Sequence, residues 1–147
     1  MSAREQSAYR LARLIKRARR QMANAVRERL EPRNTSLHTV QIMKRIVADE
    51  QLNQLELARQ IELEPAALCR LVSDLEDRGL VVRRRDPDDN RRVLVAATAA
   101  GQTLLARAQP HVLAGIEAML ARLTRTEQRE LTRLLEKLAP EDEAADR

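Results

Sequence analysis

Between residues 83 and 92 the chain places five arginines among three aspartates, a proline and an asparagine. Guanidinium groups are planar donors that pair two-pronged with phosphate oxygens and with the major-groove edge of guanine. Just upstream, residues 65–78 hold Arg70 and Ser73 within one helical pattern. A serine hydroxyl donates to phosphate, and an arginine on the same face reads base edges. This is chemistry for holding a polyanion, not for making or breaking bonds. No nucleophile–base pair, phosphate-binding loop or dinucleotide fingerprint is present, so no catalytic residue and no cofactor is expected. His38 and His111 are too few and too far apart to specify a metal site, and none is expected.

These residues need elements to position them. Residues 80–85 and 92–97 are β-prone runs flanking a polar turn, which makes a hairpin with a cationic tip. Before it, residues 53–61 and 65–78 read as two short helices joined by a three-residue turn, a helix-turn-helix spacing. Pro65 suits a first helical turn and Gly79 suits a helix end. A helix at residues 36–49 starts from Ser36 as its cap. Such a unit suits DNA: the helix enters a major groove while arginines of the hairpin reach the adjoining backbone or minor groove. Strand alternation sends one face of Arg83, Arg84 and Arg85 inward, so not all three reach DNA.

Longer helices flank this module. Residues 5–30 carry Leu11, Leu14, Ile15, Ala18, Met22, Val26 and Leu30 at helical spacing, with arginines crowding the other face. A helix from Thr98 to about Leu123 contains Pro110, which is expected to kink or split it. Thr124 and Glu127 form a capping box for a last helix with Leu131, Leu134, Leu135 and Leu138 in one stripe. A small central module cannot bury all three of these faces. Pairing with a second copy is the economical solution, and a dimeric reader matches a palindromic site.

The whole composition agrees. The chain has 147 residues, one tyrosine and no phenylalanine or tryptophan, so its core is aliphatic and its elements mainly helical. Net charge is +5, and of 27 basic residues only Lys16, Lys44 and Lys137 are lysines. A compositional bias toward arginine accounts for such a total, but not for the clustering. One cysteine, Cys69, excludes an intramolecular disulfide and fits a reducing cytoplasm. No apolar run reaches membrane-span length, and no export signal is visible, so a soluble cytoplasmic protein without a membrane partner is expected.

The order of helix, helix, helix-turn-helix, wing, long helix and last helix resembles the MarR family of winged-helix transcription regulators, over about residues 9–138. The residues that carry the resemblance are Leu71-Val72-Ser73-Asp74-Leu75-Glu76-Asp77-Arg78-Gly79-Leu80-Val81, then Asp86-Pro87-Asp88-Asp89-Asn90-Arg91-Arg92-Val93-Leu94-Val95, then Thr98 and Gly101. It implies a mainly α fold with a β-hairpin wing: six helices in an entwined homodimer. Residues 5–34 and 99–139 would form the dimerisation region, residues 35–98 the DNA-binding lobe, and residues 140–147 an acidic tail. It implies that residues 65–78 are the recognition helix, and that Arg91 enters a minor groove held by Asp89 in a local ion pair.

The expected DNA-facing residues are therefore Ala66, Ala67, Cys69, Arg70 and Ser73 of the helix with Arg85, Asp89, Arg91 and Arg92 of the wing. Many relatives carry Ser or Thr at the first three positions. Here small apolar surface replaces those donors and suits thymine methyls, leaving Arg70 as the main base reader. The resemblance also implies a small effector bound between dimer helices and DNA lobe, for which Tyr9, Arg13, His38 and His111 are the nearest candidates. A site almost without aromatics stacks poorly on a phenolic ring, so an aliphatic or simple anionic effector, or no effector, stays open. The expected function is a sequence-specific DNA-binding regulator, a repressor acting as a homodimer on a pseudo-palindromic operator. Two alternatives stay open: a non-specific architectural DNA binder, and a redox-responsive regulator acting through Cys69.

Overall fold

A computed structural model describes residues 2–50 and 52–140. The acidic segment beyond Pro140 lies outside the described residues. Six α-helices and one two-stranded antiparallel sheet are present among them. Helix α1 spans Ala3–Leu30, α2 Leu37–Ala48, α3 Gln54–Gln60, α4 Pro65–Asp77, α5 Ala99–Leu120 and α6 Arg125–Leu138. Strands β1 (Val81–Arg85) and β2 (Val93–Ala97) form the hairpin between α4 and α5.

Local chemistry sets these boundaries. Ser36 accepts the N–H of Thr39 and caps α2. Thr124 and Glu127 make the expected capping box on α6, and Asn53 with Glu56 makes another on α3. Helix α1 begins two residues before its expected start, because Ser2 and Glu5 form a capping box as well. Gly79, at φ +72°, ends α4: its N–H donates to Glu76 O and the N–H of Leu80 to Leu75 O, both at 2.9 Å. The same two-bond closure ends α3, but there Glu62 takes the left-handed position at φ +56°. A non-glycine residue in that conformation costs about 1 kcal/mol.

At Pro110 the alternative of a split helix does not occur. Helix α5 runs unsplit through it from Ala99 to Leu120. Proline removes a single donor, and the packing of α5 along α1 and α2 holds the helix on either side.

The core joins five of the helices and both strands. Leu30, Ile42, Met43, Ile46, Leu57, Leu68, Val72, Leu75, Val81 and Val95 are fully buried. Val40, Ile42, Met43 and Ile46 bring α2 into this core, and Leu68, Val72 and Leu75 attach α4 to it. The first turn of α5 passes directly over the α4–β1 junction. A Cβ on Gly101 would overlap the carbonyl oxygen of Leu80 and lie 2.6 Å from Met43 Cε. Thr98 strengthens this contact, its backbone N–H donating to Leu80 O at 3.0 Å and its hydroxyl to Gly79 O at 2.7 Å. The long helix α5 is thereby pinned to the end of α4.

Two apolar faces find no cover among the described residues. Tyr9, Leu11, Leu14 and Ile15 are exposed along α1, and Leu131, Leu134, Leu135 and Leu138 along α6. Helix α6 buries none of its residues.

Candidate nucleic-acid interface

Helix α4 presents one side to the core and the other to solvent. Ala66, Cys69 and Arg70 are exposed, and Ala67 and Ser73 half-buried. Pro65 occupies the first turn, and no side chain caps the helix start. The backbone N–H groups of Ala66 and Ala67 are therefore open to an outside acceptor, at the end of the helix that favours anions. Arg70 carries no side-chain hydrogen bond or ion pair among the described residues. Ser73 is already engaged: its hydroxyl donates to Cys69 O and accepts from Arg83 Nη2, each at 2.9 Å.

The hairpin is in register from Val81 opposite Ala97 to Arg85 opposite Val93. Among its arginines the inward one is Arg83. Its guanidinium pairs with Glu76 at 2.9 Å. The backbone N–H of Arg83 above all, with its guanidinium, holds the Glu76 carboxyl below its ordinary value of 4.5. Arg84 is exposed and free of side-chain partners among the described residues. Arg85 folds back across the turn and donates to Asn90 O at 2.7 Å. Arg92 reaches Asp86 at 3.3 Å and Glu56 at 3.4 Å, tying the wing base to α3.

Asp86 is a residue that motif reading passed over. It is buried, and its carboxylate accepts the N–H of Asp88 at 2.9 Å as well as pairing with Arg92. It organises the wing turn from inside. Asp89 behaves differently from the expectation. Its carboxylate accepts the backbone N–H of Arg91 at 3.0 Å and makes no ion pair with the guanidinium. The distinction is geometric, since a carboxylate two residues back caps a turn more readily than it reaches a side chain pointing outward. Arg91 is left at the wing tip with an exposed, unpaired guanidinium among the described residues. Of the arginines on α4 and the hairpin, Arg70, Arg84 and Arg91 are thus the ones without a side-chain partner among the described residues.

Of the four expected effector residues, His111 alone lines the cleft beside α5. This space, about 740 Å³, lies between the α1–α2 connection, the α4–β1 junction and α5. Arg33, Thr35, Leu80, Leu104 and Arg107 line it with His111. Tyr9 is exposed on α1, His38 is exposed at the start of α2, and Arg13 borders a separate shallow basic cleft with Lys16, Arg17 and Arg20. Arg107 was missed, although a signal existed. It and His111 stand one turn apart on a helix whose only other charged residue is Glu117.

Cys69 is exposed, with its Sγ 3.8 Å from Arg83 Nη2. Among the described residues, no group of three His, Cys, Asp or Glu side chains is arranged to hold a metal ion. No described helix is long and apolar enough to cross a membrane.

Comparison with known proteins adds independent findings. Residues 36–93 match the model of the MarR family. The chain is 35% identical over 109 residues to the HTH-type transcriptional repressor Rv2887 of Mycobacterium tuberculosis, covering 74% of this chain and 78% of the relative. The crystal structure of that mycobacterial protein in complex with salicylic acid is similar at a TM-score of 0.73 and 32% identity, covering 88% of this chain and 96% of that one. A MarR mutant from E. coli complexed with operator DNA is similar at a TM-score of 0.81 and 25% identity, covering 95% of this chain and all of that one (100%).

Proposed function

Because the chain belongs to the MarR family of transcription regulators, we propose that it is a sequence-specific repressor that binds a pseudo-palindromic operator as a homodimer in the cytoplasm. The observation that carries this reading is that Pro65 at the uncapped start of α4 lines one cleft with Arg91 of the wing tip, while Arg70 on the same helix and Arg91 both have guanidinia without a partner among the described residues. The E. coli relative solved with operator DNA supports it. The uncovered leucine faces of α1 and α6 support the dimer. In this reading Ala66, Ala67, Cys69 and Arg70 face the major groove, and Arg91 enters the flanking minor groove. Arg85, Asp89 and Arg92 serve the same interface by holding the wing in shape. The assignment includes no catalytic step.

Selection of DNA from a random duplex pool tests it. The protein enriches an inverted repeat with half-site centres about one helical turn, roughly 10 base pairs, apart. A pool from which no sequence is enriched overturns the reading and favours a non-specific architectural binder.

The cleft beside α5 supports a small anionic effector that weakens operator binding. Arg33, Arg107 and His111 suit a carboxylate, and the salicylic acid complex of the mycobacterial relative supports that chemistry. The cleft wall includes Leu80, which α5 pins to the end of α4, so an occupant presses on the element that aims the recognition helix.

A further inference from the structure

The guanidinium of Arg83 is heavily engaged, and none of the DNA contacts described above uses it. Its Nε donates to Gln54 Oε1 at 3.0 Å and its Nη1 to Glu76 Oε2 at 2.9 Å. Its Nη2 donates to the carbonyl of Cys69 and to Ser73 Oγ, each at 2.9 Å. The backbone N–H of the same residue donates to Glu76 Oε1 at 3.0 Å. One planar fork therefore fastens α3, α4 and β1 together.

We infer that Arg83 is a specificity-determining positioning residue that sets the roll of α4 relative to the wing. This rests on the reading of α4 and the wing as the DNA face. Leu68, Val72 and Leu75 attach α4 to the core through apolar contacts, which have no preferred direction and tolerate small rotations. Base reading does not tolerate them, since a functional constellation has to be held to about 0.5 Å. Arg83 supplies the missing direction. It grips α4 at the carbonyl of Cys69, immediately before Arg70, and again one turn later at Ser73. It does so from β1, the strand that leads into the wing carrying Arg91. The roll of Arg70 in one groove and the reach of Arg91 into the next are thus fixed against a common residue.

The test compares Arg83→Lys, Arg83→Gln, Glu76→Gln and Arg91→Ala on two duplexes, one enriched from a random pool by the wild-type protein and one of shuffled sequence. Lysine keeps the charge but not the four-way fork. Arg83→Lys is expected to lose about tenfold or more on the selected duplex, with unchanged affinity for the shuffled one and an unchanged salt dependence. Glu76→Gln, which leaves Arg83 in place, is expected to lose part of the same discrimination, and to lose nothing further in the Arg83→Lys background. A direct phosphate contact gives another pattern: Lys restores wild-type binding, while Gln weakens both duplexes alike and lowers the salt slope by about 1. That pattern overturns the inference. If Arg83→Lys does not fold at the assay temperature, Glu76→Gln decides, and an unaltered selected-to-shuffled ratio there overturns it. Arg91→Ala separates the two levels. Loss of binding in Arg91→Ala with full discrimination in both Arg83 variants refutes the positioning role alone. Unchanged binding in Arg91→Ala refutes the DNA-face reading beneath it.

Discussion

Arginines that look equivalent in the sequence have different work to do. Arg91 is unpaired at the wing tip, while its neighbour Arg92 is spent on Asp86 and Glu56. Alanine at the two positions should therefore separate binding from stability. Arg91→Ala is expected to leave the melting temperature unchanged and to weaken selected-duplex affinity about tenfold or more at fixed salt. Arg92→Ala is expected to cost about 1 kcal/mol of stability, because the buried Asp86 carboxylate loses its charged partner while the exposed side of the pair is screened. Thermal melts and binding isotherms on both variants check this. The alternation of β1 is enough to show that three consecutive arginines cannot all face DNA. It is not enough to show that Arg85 and Arg92 fold back into the wing. Their partners, Asn90 O and Asp86, depend on how the turn closes, and a charged turn reads alike whether its charges face inward or out.

At the scale of elements, the parts with local signals were legible. Ser36, Thr124 with Glu127 and Gly79 each satisfy helix-end groups through residues close in sequence, Pro65 removes one such donor at the start of α4, and each stands where its chemistry indicates. The parts set by tertiary contact were not. Pro110 is a helix breaker by local rules, but α5 continues through it because α1 and α2 pack along it. The close pass of Gly101 over Leu80 could not be read either, since nothing in the spacing of a glycine reveals what crosses it. The stripes on α1 and α6 were visible as periodicity, and among the described residues they remain uncovered. Helix α6 has no buried residue of its own, so the proposed dimer would supply the full burial of its leucines. Charging that stripe with Leu134→Glu and Leu135→Glu is expected to shift sedimentation from dimer to monomer. A double variant that sediments as wild type removes α6 from the interface.

In the whole molecule two levels of geometry meet. Within one protomer, α3, α4 and the wing form a reading head braced by Arg83 and pinned through Thr98 and Gly101 to α5. Between protomers, paired leucine faces would set the distance between two such heads. In the proposed function, sequence choice resides in Arg70 and the small side chains beside it, and affinity in the backbone contacts that two heads would make. The most direct measurement is the affinity of the wild-type protein for a full inverted-repeat duplex against the same duplex with one half-site shuffled, at one salt concentration. Each mismatched pair typically costs about 1–3 kcal/mol, so shuffling a half-site is expected to weaken binding at least about a hundredfold. Equal affinity for the two duplexes would contradict a dimer that reads both halves of its site.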